Sequence, residues 1–145
     1  MKFFAHEPVM AMLSYSNFGS DKQGSPLKVH EAIDFLHKTY PDMVVDGEMQ
    51  VNFALDKKLR DDMYPFNKLK GQDVNTLIFP NLSSANSAYK LLDTLGITET
   101  IGPIQMGLNK PIHFTDVESS TRDILNLTTV AVVDAIVQEQ IEKGE

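Results

Sequence analysis

The chain has 145 residues, 42% hydrophobic and 23% charged, with a formal net charge of −7 and no cysteine. That suits one ordinary folded domain and excludes a disordered tail, a fibrous chain, a disulfide scaffold and thiolate chemistry. Its basic residues are scattered, so it is not read as a nucleic-acid binder, and no apolar run approaches the roughly 20 residues of a bilayer span.

"MKFFAHEPVM" places His6, Glu7 and Pro8 where an export signal needs an apolar region. Nothing there points to secretion, and a cytoplasmic home is expected. "VMAMLSY" (9–15) reads as a short buried strand bounded by Pro8 and Gly19. "SDKQGSP" is loop. Pro26 suits the first turn of a helix, in which Val29, Ala32, Ile33 and Leu36 share one face until Pro41 stops it. "MVVDG" (43–47) reads as a second strand. "EMQVNFALDKKLRDDM" reads as one helix, with Val51, Ala54 and Leu55 inward and Lys57, Lys58, Arg60 and Asp61 outward.

"VNTLIFP" (74–80) is a third strand, apolar at its end as buried parallel strands tend to be. "NSAYKLLDTLG" is a helix with Gly96 as its C-cap, and "IGPIQM" (101–106) and "PIHF" (111–114) are expected as two more short strands. A long final helix begins at "SSTRDIL", where Ser120 and Asp123 resemble a capping box. Its middle is apolar on nearly every side, which argues for burial on two faces. The alternation predicts a single domain over 1–145, a three-layer α/β/α sandwich with a mostly parallel sheet.

Ligands of such sheets sit beyond the carboxyl ends of the strands. "SYSNFGS", "VVDGEMQ", "FPNLSSAN" and "IGPIQMG" are expected there, all rich in Ser, Asn, Asp or Gly. Together they suggest a cleft for something polar. Each also has a plain reading. Ser14 and Ser16 can cap a strand end, and Asn17 and Gly19 can supply left-handed backbone. Asp46 suits a turn, Asn81 a helix entry and Asp123 a helix first turn.

Several sharper motifs fail. Gly19 and Gly24 have P-loop spacing, but Ser25 stands where its lysine belongs and Pro26 follows. There is no GxGxxG, HExxH or GxSxG. The histidines at 6, 30, 37 and 113 are too dispersed to suggest a metal site.

"MLSYSNFGS", "PDMVVDGEMQVNFAL", "NTLIFPNLSSANSAYKLL", "IGPIQMGLNKPIH" and "DILNLTTVAVVDA", in that order, resemble the phosphate acetyl/butyryltransferase family. The likeness runs along essentially the whole chain but covers only the back part of that family's domain, so the chain is expected to be a fragment of a longer domain. "SNFGS" is similar to the form found in the C-terminal domain of large bacterial NADP-dependent malic enzymes. The transferases carry a Ser-Arg-Gly-Cys-Ser-like run before the final helix, and aligning "DILNL" sets Asp116 and Val117 at its Ser and Arg. Losing a cation aimed at the transferring group costs orders of magnitude in rate.

The resemblance therefore implies a transferase fold without its chemistry: a regulatory domain that binds acetyl-CoA and helps form a homo-oligomer, dimer or higher. Its partners would be the malic-enzyme catalytic domains of the same chain, which use NADP and a divalent metal (Mg or Mn); the fragment itself needs no cofactor. Ser14, Ser16, Asn17, Gly19 and Ser20 would form one wall, extended by Asn81, Gly102 and Pro103. Ser119, Ser120 and Asp123 would lie near the thioester, and Lys22 or Lys110 would meet CoA phosphates. A working phosphate acetyltransferase, with Arg122 replacing the lost cation, and a purely structural oligomerisation domain are the alternatives. No membrane or nucleic acid is expected as partner.

Overall fold

The computed structural model describes residues 6–97 and 99–144. Residues 1–5, part of the stretch read for an export signal, lie outside them. Contacts divide the described residues into two compact units, 6–91 and 92–144.

The first unit is built on three parallel strands, β1 (Met10–Leu13), β2 (Val45–Met49) and β3 (Thr76–Ile78), in the order β2-β1-β3. Parallel neighbours need a crossover. Helix α1 (Gly24–Thr39) connects β1 to β2, and α2 (Val51–Leu55) and α3 (Lys57–Met63) lie between β2 and β3. The α/β class with a parallel sheet is thus as expected, on a small sheet.

Ala11 and Leu13, two apart on β1 and so on one face, are buried with Met49, Ala54 and Leu69. Val9, Phe18, Val44, Phe53, Val74, Leu77 and Phe79 pack around them. Val29 and Ile33 are buried on the inward face of α1 at the spacing the sequence indicates, with Pro26 buried in its first turn. The helix ends at Tyr40, just before Pro41.

The β1–β2 register shifts once. Met12 pairs with Gly47 and Leu13 with Met49, so Glu48 is an extra residue in β2. Such bulges re-aim a side chain. Gly47 has φ 147°, and a Cβ there would sit 2.5 Å from the Met12 carbonyl oxygen, so no other residue fits without displacing the sheet.

The single helix expected from Glu48 onward is corrected in two ways. Glu48 and Met49 belong to β2, and the helix breaks at Asp56, which is extended and accepts the Leu59 N–H at 2.9 Å to cap α3. The break resets the helical face. Val51 and Leu55, expected inward, are exposed, and Arg60, expected outward, is fully buried.

Helix α4 (Leu82–Leu95) starts ahead of the "NSAYKLLDTLG" run, at the helix entry that Asn81 suggests: Asn81 Oδ1 accepts the Ser84 N–H at 2.9 Å. In the second unit, the strands expected at 101–106 and 111–114 are not formed. Pro103 and Pro111 lack the N–H a ladder needs, and Gly102 and Gly107 take positive φ. The final helix α5 (Thr121–Lys143) opens on the expected capping box. Leu127 is its buried residue, while Ile124, Leu125, Val132, Val133, Ile136 and Ile141 are exposed, contrary to the expected burial on two faces. Contrary also to the reading of the apolar runs, α5 is long and apolar enough, by length and composition alone, to cross a membrane. A mostly buried core helix passes the same test, but only 6% of the apolar window of α5 is buried.

Candidate ligand-binding loop

All strands of the sheet run one way, so the segments leaving β1, β2 and β3 emerge on one edge. They bring residues 14–20, Gln50 and Asn81 to that edge. The fourth expected segment, "IGPIQMG", follows no strand.

The loop after β1 is organised by Glu48, whose side chain is fully buried. Its Oε1 accepts the Gly19 N–H at 2.6 Å and the Ser16 hydroxyl at 2.9 Å. Its Oε2 lies 3.2 Å from His30 Nδ1 of α1. Its carbonyl oxygen accepts the Phe18 N–H at 2.7 Å. Buried carboxylates persist where donors surround them, and Glu48 has three beside its carboxylate.

Proton bookkeeping then fixes the loop's hydroxyls. Ser16 has one proton, given to Glu48, so in the 2.9 Å contact between Ser16 and Ser20 it is Ser20 that donates. Ser16 Oγ also accepts the Asp21 N–H at 3.0 Å, and Ser20 Oγ accepts the Asn17 N–H at 3.1 Å. Asn17 Oδ1 receives the Gln50 N–H at 2.8 Å, and the Gln50 amide nitrogen donates to the Tyr15 carbonyl at 2.6 Å. Ser14 N–H donates to the Met49 carbonyl at 3.0 Å.

Phe18 and Gly19 are successive residues at positive φ, 47° and 83°. A phenylalanine there is held by its ring, whose centroid is 4.7 Å from that of Tyr64 and 5.3 Å from that of Phe66. The Gly19 N–H that this backbone presents points to the Glu48 carboxylate.

The structure therefore sorts the expected site residues. Ser14, Ser16, Asn17, Gly19 and Ser20 form one hydrogen-bonded cluster in the first unit; Ser16 is buried within it and Ser20 is exposed. Lys22 is exposed on the same loop. Asn81 caps α4.

Gly102, Pro103, Lys110, Ser119, Ser120 and Asp123 all belong to the second unit. Gly102 and Pro103 share a cis peptide bond. Ser119 closes a turn with Asp116. Asp123 accepts from the Ser120 hydroxyl at 2.7 Å and the Ser120 N–H at 2.8 Å, and these bonds, the hydroxyl's first, hold its carboxyl below the ordinary carboxylate range. Val117 is fully exposed, and Arg122, the alternative cation, pairs with Glu99 at 2.8 Å.

Sequence reasoning missed Glu48, whose residue type gave no sign of a bulge. The available signal was Gly47, a glycine inside a strand pattern. It also missed Arg60, which anchors residues 64–73. Arg60 donates to the carbonyls of Ala54 at 3.3 Å, Leu69 at 3.0 Å and Gln72 at 2.7 Å, and through Nε to Asp61 at 3.3 Å. Asp46, read as a turn residue, is a buried strand residue that accepts the Lys68 N–H at 2.6 Å.

Comparisons with known proteins agree with this fold. The family model described as Phosphate acetyl/butaryl transferase matches residues 1–132. The chain is 39% identical over 135 residues to the NADP-dependent malic enzyme of Salmonella typhimurium, a match covering 91% of this chain and 17% of that protein. It is 37% identical over 129 residues to the phosphate acetyltransferase of Clostridium acetobutylicum, covering 89% of this chain and 38% of that one. The crystal structure of a phosphotransacetylase from Streptococcus pyogenes superposes with a TM-score of 0.83 at 38% identity, over 94% of this chain and 41% of that one. The chain thus spans well under half the length of each of these relatives.

Proposed function

The chain belongs to the phosphate acetyl/butaryl transferase family, and from that premise we propose that it is the acetyl-CoA-sensing, oligomer-forming domain of a malic enzyme, with transfer chemistry lost. In the parent protein the catalytic domains would convert malate to pyruvate and CO2 with NADP and Mg or Mn, in the cytoplasm. Acetyl-CoA would act as effector, which requires that its affinity differ between a more and a less active state.

The observation that carries the reading is the polar loop after β1, fixed from within the molecule by Glu48. Preorganisation of this kind lowers the cost of binding. Because Ser16 and Gly19 face Glu48, ligand contact is assigned to Ser14, Asn17 and Ser20, of which Ser20 is exposed, with the exposed Lys22 of the same loop for a CoA phosphate. Asn81, Gly102, Pro103, Ser119, Ser120 and Asp123 remain further candidates.

Loss of chemistry is supported by Asp116 and Val117 at the positions that align with the transferases' Ser and Arg. A carboxylate there repels phosphate, and Arg122 is committed to Glu99. Homo-oligomer formation is supported by the exposed apolar residues of α5. The experiment is calorimetric titration of acetyl-CoA into the intact protein and into an Asn17→Ala/Ser20→Ala variant. The reading expects saturable binding weakened at least about tenfold in the variant, the scale of one lost hydrogen bond to a charged group. Equal affinity in the two proteins would remove the loop from the site.

A further inference from the structure

The second unit contains a cavity of about 50 Å³ between residues 104–113 and α5. Its polar lining is Gln105, Lys110, His113, Asp134 and Gln138. The His113 side chain is only 4% exposed, yet neither ring nitrogen has a hydrogen-bond partner among the described residues. Buried polar groups without partners are rare and call for an explanation. His113 Nε2 lies 3.9 Å from Asp134 Oδ2, too far for a hydrogen bond and close enough for one atom to bridge them.

The neighbouring polar groups are weakly engaged. Gln138 Nε2 reaches Asp134 Oδ1 at 3.5 Å, Lys110 Nζ reaches Glu142 Oε1 at 3.4 Å, and Gln105 Nε2 reaches the Met106 carbonyl at 3.2 Å. The lining therefore offers several donors, the Lys110 ammonium, two carboxamides and an imidazole N–H, beside one strong acceptor, the Asp134 carboxylate. His113 and Asp134 alone are too few ligands for a metal site.

We propose that this pocket binds a small oxyanion that carries a hydroxyl, such as hydrogenphosphate or hydrogencarbonate. Its oxygens accept from Lys110, His113 and the glutamines, and its O–H donates to Asp134. The hydroxyl is what makes the carboxylate a partner instead of a repulsion. The size agrees: at roughly 10–15 Å³ for each water-sized occupant, the cavity takes about three to five non-hydrogen atoms. The site uses none of the loop residues assigned to acetyl-CoA; Lys110, offered by the sequence reading to a CoA phosphate, belongs to this pocket.

The test is calorimetry with inorganic phosphate, hydrogencarbonate and acetate on the full chain near neutral pH, with His113→Leu and Gln138→Leu alongside. His113→Leu breaks no hydrogen bond seen in the structure, so it is expected to keep or raise Tm. Phosphate or hydrogencarbonate is expected to bind saturably, at least about tenfold more tightly than acetate, which has no hydroxyl to give Asp134. Both variants are expected to weaken it at least about tenfold, the scale of one lost charge-assisted bond. If His113→Leu fails to fold, Gln138→Leu decides. Acetate binding equally well, both variants binding as wild type, or no saturable binding (a cavity that holds water only) would each overturn the proposal.

Discussion

Glu48 and Arg60, in the first unit, and His113, in the second, are buried polar side chains in opposite situations. In residues 6–91, Glu48 and Arg60 are fully buried and have partners for their charge: an amide, a hydroxyl and an imidazole for one, three carbonyls and a carboxylate for the other. In residues 92–144, His113 is nearly as deep and has none. A satisfied buried charge holds a loop in place, because opening the loop leaves that charge stranded. An imidazole without partners, such as that of His113, does no such work, and its removal strands no other group. The difference separates residues that shape a site from residues available to a ligand.

The comparison breaks first at Arg60 if it is wrong. Arg60→Met would strand the carbonyls of Leu69 and Gln72 and release residues 64–73, costing about 3–5 kcal/mol in chemical denaturation, as for other broken buried charge networks. A cost near zero would mean that burial of Arg60 does not hold this segment. Glu48→Gln keeps the shape but removes the charge. It is expected to cost about 1.5–3 kcal/mol and to weaken acetyl-CoA binding while leaving Ser14, Asn17 and Ser20 unchanged. Binding lost with stability unchanged would assign Glu48 to the ligand, not to the loop.

Asp61 sharpens the comparison through pH. The Gly71 N–H above all, then the Asn67 amide and the Arg60 guanidinium, hold its carboxyl below the ordinary carboxylate value. Its stabilisation is therefore present above the unfolded value of about 3.9 and is lost as pH falls through the lowered folded value. Asp61→Asn is expected to lower stability at neutral pH and to flatten the acid limb of the stability profile. An unchanged acid limb would show that other carboxylates dominate it. The smallest effect belongs to the second unit, where Ser120→Ala removes the cap of α5 for about 1 kcal/mol in thermal unfolding.

What the sequence makes legible follows the same division. Helix α1, with its inward Val29 and Ile33, its start near Pro26 and its stop at Pro41, is readable because local pattern and tertiary burial coincide. The α5 capping box is readable because it lies within four residues. Glu48 and Arg60 were not readable, since their burial depends on a register shift and a helix break that no local periodicity encodes. Apolar runs at 101–106 and 111–114 looked like strands, but Gly102, Pro103 and Pro111 prevent a ladder. The polar residues of the loop after β1 were visible; that Ser16 and Gly19 face an internal carboxylate was not.

The most direct test of the central claim is one titration of acetyl-CoA into the intact protein, followed by calorimetry and by CoA thiol release, with and without phosphate. The account predicts saturable binding and no phosphate-dependent release of CoA. Phosphate-dependent release would contradict it and restore a working transferase; no binding at all would leave the loop after β1 a structural feature held by Glu48.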